Sequence, residues 1–181
     1  SGNGNTGTLT NGPTYNSANA GSIVFDGVND YVGVNNFNVG NSITVESWFN
    51  VTSNSWSPVI GNWNSTGNGD SWLLTKNSSN QMSFYIRFDA STGDVITETE
   101  TATNDVWQQY TGIFNNFNLS LYKNGSLVNS KTTTVNTLPQ NSLEIWLGRF
   151  SSFYFGGNIG NCKVYNRALT AAEVAQNFNA T

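Results

Sequence analysis

Apolar and polar residues alternate along most of this chain. Ile43, Val45, Ser47 and Phe49 interleave with Thr44, Glu46, Trp48 and Asn50. Met82, Phe84, Ile86 and Phe88 interleave with Ser83, Tyr85 and Arg87, and Leu143, Ile145 and Leu147 with Glu144, Trp146 and Gly148. Successive side chains of a strand point to opposite faces, so this period predicts strands with one buried and one wetter face. Ile23–Phe25 and Tyr31–Val34 read the same way. Shorter apolar runs at Val59–Ile60, Trp72–Leu74, Val95–Thr97 and Tyr110–Phe114 add further strands. Asn124-Gly125 between Leu119–Lys123 and Leu127–Thr134 predicts a tight hairpin, because both residues accept positive φ. Many short strands separated by Asn, Gly and Ser clusters point to an antiparallel sandwich.

Only the C-terminal end breaks the period. Thr170-Ala171-Ala172-Glu173 has the form of a capping box, and Val174 and Phe178 fall on one helical face. A short helix over Ala171–Asn177, lying on the sandwich, is expected.

Composition narrows the function. Charged residues make up only 10% of the 181 residues and the net charge is −4, with no basic run. Nucleic acid is therefore not an expected partner, and neither are anionic membrane surfaces. No apolar stretch is long enough to span a bilayer. The N-terminus lacks the features of a signal peptide, so the chain reads as a cleavage product or a domain cut from a longer protein. There is no histidine and a single cysteine. These counts remove Ser-His-Asp and Cys-His catalysis and the usual zinc sites. Cys162, in an alternating stretch, is expected to be an inert core thiol.

Four segments then carry a resemblance. Phe25-Asp26-Gly27-Val28-Asn29-Asp30-Tyr31-Val32 is similar to an "FDG-x-x-D-Y-V" opening, and Ile43 to Phe49 follows in its place. Trp107 and Leu121-Tyr122-Lys123-Asn124-Gly125 resemble a "W … l-Y-v-n-G" hairpin. Val164-Tyr165-Asn166-Arg167-Ala168-Leu169-Thr170 through Val174 resembles a closing "Y-N-R-A-L-[ST]-x-x-E-[IV]". In this order they resemble laminin-G-like domains of the concanavalin A-like lectin/glucanase superfamily. The Asn-rich style is most similar to copies in tailed-phage virion proteins. The resemblance implies one domain over residues 1–181: an all-β, two-sheet antiparallel jelly-roll sandwich with one short C-terminal helix. It also implies an extracellular or virion-surface setting. Such copies commonly follow a further strand, so this chain is expected to be a fragment or to take that strand from a partner chain.

The wetter faces set flat aromatics beside polar groups, as a sugar ring requires. Trp146, Glu144, Tyr85 and Arg87 are candidates on strands; Trp56, Trp63 and Asp70 are candidates in loops. Competing readings are folding back onto the sheet edge or subunit packing for Trp56 and Trp63, and plugging the sandwich or packing under a crossing loop for Trp48 and Trp146; Trp107, before a strand, is read as core. Phe153–Phe155 is read as a short packed loop. Asp26 and Asp30 either hold one structural calcium with backbone carbonyls or simply shape their loop through Asx-type bonds. The superfamily's glucanases carry closely spaced carboxylates on one strand, and no such triplet exists here. The remaining hydrolytic pair would be Glu46 and Glu144, while Glu98 and Glu100 read as solvated. The expected function is non-catalytic binding of a cell-surface polysaccharide or glycan. The alternative is a capsid-decoration or fibre subunit that associates with itself or with other virion chains.

Overall fold

Alternation becomes two seven-stranded antiparallel sheets in a computed structural model that describes residues 4–63, 71–88, 92–134, 136–139 and 141–180. The strands are β1 (Gly7–Thr10), β2 (Thr14–Asn16), β3 (Ser22–Asp26), β4 (Tyr31–Val34), β5 (Ile43–Val51), β6 (Ser57–Asn62), β7 (Trp72–Lys76) and β8 (Met82–Arg87). They continue as β9 (Gly93–Thr97), β10 (Gln108–Asn115), β11 (Asn118–Lys123), β12 (Ser126–Thr132), β13 (Ile145–Leu147), β14 (Arg149–Phe150), β15 (Phe153–Tyr154) and β16 (Gly156–Tyr165). One helix, α1, spans Ala171–Asn179.

Sheet I runs β1-β4-β13-β6-β7-β8-β9 and sheet II runs β12-β11-β10-β5-β16-β3-β2. Their facing sides enclose one core that includes Phe49, Tyr110 and Phe114 from sheet II and Leu74, Phe84 and Ile86 from sheet I. Gly112 of β10 marks a close approach of the sheets. A Cβ there would lie 2.6 Å from Phe84 Cδ2, so glycine admits the ring. The Asn124-Gly125 hairpin forms as expected, with φ of 49° and 78°.

Two expectations are corrected, and two strands are added that the alternation did not mark. Within Gly7–Asn16, β1 pairs with β4 and β2 with β3, giving each sheet an edge strand. Phe153-Tyr154 is not a loop but one side of a two-residue ribbon, β14–β15. The wetter face of β5 is not wet, since Thr44 and Glu46 are 0% and 1% exposed. The cause is α1, which lies on the outer face of sheet II. Val174 and Leu169 pack there on Ile113, Tyr122 and Tyr165. Thr170 caps the helix, its hydroxyl accepting from the Glu173 amide and its amide donating to the Glu173 carboxylate at 2.8 Å. Glu173 also takes the fork of Arg167 at 2.7 and 3.0 Å.

Candidate functional site

Among the described residues no helix covers the outer face of sheet I, and most of the residues singled out by sequence meet there. Trp146 projects from β13 between two glycines of neighbouring strands, Gly33 and Gly61, its partners in register. The Glu144 carboxylate fills the space that a Cβ on Gly33 would take. Trp146 Nε1 donates to Glu144 Oε2 at 2.6 Å. Tyr31 meets the indole edge to face, centroids 6.1 Å apart.

Arg149 completes this group. Its guanidinium lies 4.3 Å over Trp146, 4.8 Å over Tyr31 and 5.7 Å over Tyr154. The β14–β15 ribbon delivers it, pairing Arg149 with Tyr154 and Phe150 with Phe153. Arg149 Nε donates to the Ser151 carbonyl at 3.2 Å. Among the described residues Arg149 forms no ion pair. A cation held against three rings keeps N–H donors for an arriving acceptor.

The ribbon's phenylalanines join a second cluster with Trp56, Trp63, Tyr85 and Leu73. Trp56 lies 6.2 Å from Tyr85 and 6.0 Å from Phe153; Trp63 lies 5.9 Å from Tyr85. Arg87 stands 4.9 Å over Trp63. Trp63 is buried, and burial raises the pKa of the Tyr85 phenol. These rings fold back onto the sheet and brace the ribbon. Phe153 keeps an exposed edge. Six of the seven candidates thus lie on one face in two adjoining groups, and Asp70 lies outside the described residues.

The carboxylates considered for hydrolysis separate. Glu46 sits on the outer face of sheet II, where Lys163 Nζ donates to it at 3.1 Å and Asn177 Nδ2 at 2.9 Å. Glu144 belongs to the other sheet, so the two do not flank a common substrate. Glu98 is not solvated: it is 2% exposed and accepts from Tyr110 Oη at 2.6 Å and Lys123 Nζ at 2.7 Å.

Asp26 and Asp30 shape their loop. Asp26 Oδ1 accepts from the amides of Val28 and Asn29 at 2.8 and 3.2 Å, and Asp30 Oδ2 accepts from the Asp26 amide at 3.1 Å. The Val28 amide foremost holds the Asp26 carboxyl below its ordinary pKa. Burial, and secondarily the charge of Asp26, raises that of Asp30. Among the described residues no group of three or more His, Cys, Asp or Glu side chains gathers as metal ligands. Among them, too, no helix is long and apolar enough to cross a membrane.

Sequence reasoning passed over Tyr31, Arg149 and Tyr154. Tyr31 had a signal, its place opposite Val32 on a strand. Arg149 had none, because Gly148, with φ of 80°, turns the chain between β13 and β14 and breaks the alternation.

Comparison with known proteins places this geometry. Residues 26–175 match the Laminin_G_3 family model, described as the concanavalin A-like lectin/glucanases superfamily. No curated protein matches the chain. Among solved structures, the binding domain of Paraclostridial Mosquitocidal Protein 1 superposes with a TM-score of 0.81 at 17% identity, covering 99% of this chain and 48% of that one. The binding domain of botulinum neurotoxin serotype G gives 0.79 at 15% identity, covering 99% and 47%. A structure of botulinum neurotoxin type C gives 0.76 at 15% identity, covering 97% and 46%, and cell entry of that toxin depends on interaction with two ganglioside molecules. The chain spans about half the length of these solved chains, and at such identity the likeness establishes the fold.

Proposed function

We propose that this chain, which belongs to the concanavalin A-like lectin/glucanases superfamily, is a non-catalytic carbohydrate-binding domain that works through the open face of sheet I. The observation that carries the reading is the Trp146 group. A half-buried indole, two phenols, a guanidinium without an ionic partner among the described residues and the exposed Glu144 carboxylate gather on one sheet face. A sugar ring offers an apolar C–H side to the aromatics and hydroxyls to Arg149 and Glu144. The separation of Glu46 from Glu144, and the burial of Glu98, support binding without hydrolysis. The ganglioside dependence of a toxin that shares the fold supports a glycan as partner.

The setting proposed is a virion or another extracellular particle, where repeated copies raise a weak single-site affinity. One structural calcium at Asp26 and Asp30 forms part of the proposal. Asp26 Oδ2 and Asp30 Oδ1 would hold it with backbone carbonyls, and a cation there would offset the burial and repulsion that raise Asp30. A second reading, a decoration or fibre subunit, is favoured by exposed Leu9 and Tyr15 on the edge strands β1 and β2.

The test is a glycan array probed with multimerised protein, with and without calcium. Binding is expected, with Trp146→Ala weakening it tenfold or more, about 1.4 kcal/mol. A blank array in both conditions overturns the carbohydrate reading. Concentration-dependent assembly in sedimentation would then favour the structural one.

A further inference from the structure

The opposite side of the sandwich holds a cleft of about 780 Å³, lined by Trp48, Trp107, Gly160, Asn161, Asn19 and Ala180 among others. Trp107, read as core, lies half-buried on this wall instead. A slip in register opens the space: β16 loses step with β5 between Ile159 and Cys162. Bulges of this kind often sit beside binding sites. Gly160 lets the Trp107 ring lie close, since a Cβ there would stand 3.3 Å from Cζ3. On the far rim Asn19, Ala20 and Gly21 all have positive φ, of 52°, 64° and 94°. Ala20 in that conformation is strained, and such strain gathers at ligand sites.

Trp48 of the cleft wall adjoins a layer of buried polar atoms on the outer face of sheet II. Trp48 Nε1, Asn50 Oδ1, both amide atoms of Gln109 and Thr111 Oγ1 are buried without a hydrogen-bond partner among the described residues. Gln109 pairs in register with Trp48, and Thr111 with Glu46, so these residues share the outer face of sheet II. Phe178 already stacks on Trp48 at 5.5 Å and 15°, a ring laid flat on the indole.

We propose that this cleft is a second saccharide site, one that takes a neutral sugar. The volume suits a small oligosaccharide. Indole walls offer stacking, and the Asn19 and Asn161 amides offer both donors and acceptors. Among the described residues no charged side chain lines the cleft. On the same face Lys163 is paired with Glu46 at 3.1 Å. A carboxylate- or sulfate-bearing sugar therefore finds no cation here. The two outer faces point away from each other, so one domain would bridge two glycan chains.

The six tryptophans give six indole N–H signals in a nitrogen–proton correlation spectrum, assigned with Trp48→Phe and Trp107→Phe. The protein is titrated with neutral cello-, manno- and galacto-oligosaccharides, and with sialyllactose as the charged comparison. The expected result is a saturable shift of the Trp48 and Trp107 signals by a neutral sugar. Asn161→Arg, at an exposed position, should weaken it tenfold or more while the other signals stay in place. No shift up to about 10 mM sugar, an affinity indifferent to Asn161→Arg, or a preference for sialyllactose would each refute the proposal. Trp146→Ala separates the two sites. If only Trp146 responds to sugars, the sheet I reading stands and this one falls; if only Trp48 and Trp107 respond, the reverse holds.

Discussion

Replacing Glu98 by alanine should be among the costliest changes of an acidic residue in this protein. The carboxylate is 2% exposed and accepts from Tyr110 Oη at 2.6 Å. Tyr110 is itself 0% exposed, so alanine leaves its hydroxyl without a visible acceptor, at about 1–3 kcal/mol. The phenol cannot ionise its way out, because burial first and the bond to Glu98 second push its pKa well above the ordinary value. Lys123 loses its partner as well, yet its side chain is 21% exposed and can turn to water. Adding the lost charge-assisted bond, the total is roughly 2–4 kcal/mol. Tyr110→Phe, which leaves Glu98 its lysine, should cost about 1 kcal/mol. Asp94→Ala breaks a pair whose lysine is 46% exposed and should cost at most about 1 kcal/mol. Urea titration followed by tryptophan fluorescence measures all three. The midpoint should fall in the order Glu98→Ala, Tyr110→Phe, Asp94→Ala with an unchanged slope. Glycan affinity should be unaltered in Glu98→Ala. If that variant is no less stable than Asp94→Ala, the account of this buried network is wrong.

Lys76 should make stability depend on pH in the direction opposite to a stabilising lysine. Its ammonium donates to Asn104 Oδ1 at 2.9 Å and to the Ser53 carbonyl, yet burial lowers its pKa from 10.5 to about 8. Between those values the unfolded chain carries more protons, so stability rises with pH across that window and the penalty is complete below about 8. Lys76→Met should flatten that slope in urea titrations at several pH values; an unchanged slope would contradict the assignment. Burial pushes the Cys162 thiol up to about 12, so a thiol-reactive dye should label this half-buried side chain slowly in the folded protein and fast once urea is added. Rapid labelling of the folded protein would show the thiol to be accessible. Gly112→Ala drives a methyl group into Phe84 and should cost about 1–3 kcal/mol, seen as a lower melting temperature.

Local pattern carried most of the fold. The runs at Ile43–Phe49, Met82–Phe88 and Tyr110–Phe114 alternate because each strand has one face on a shared core, and the Asn124-Gly125 turn follows from backbone φ alone. What escaped were elements whose stability comes from pairing rather than from burial. The residues of β2 are all exposed, and those of β1 nearly so. The β14–β15 ribbon is two residues a side, too short to show a period.

The site was legible in its residue types and not in its surroundings, and the reason is geometric. Alternation marks the outer face of a strand, and Glu46-x-Trp48 on β5 reads the same as Glu144-x-Trp146 at β13. The chain then treats the two pairs differently. At β13 the neighbours in register are Gly33 and Gly61, which leave the indole uncovered by side chains of the sheet, and Arg149 arrives from the next turn. On β5 the neighbours are Gln109 and Thr111, and Asn177 and Phe178 of α1 close over the top. Both differences lie in residues distant along the chain. An identical local pattern therefore yields an open aromatic group on one side, and on the other a polar layer covered by α1, with Trp48 shared between that layer and the cleft beside Trp107.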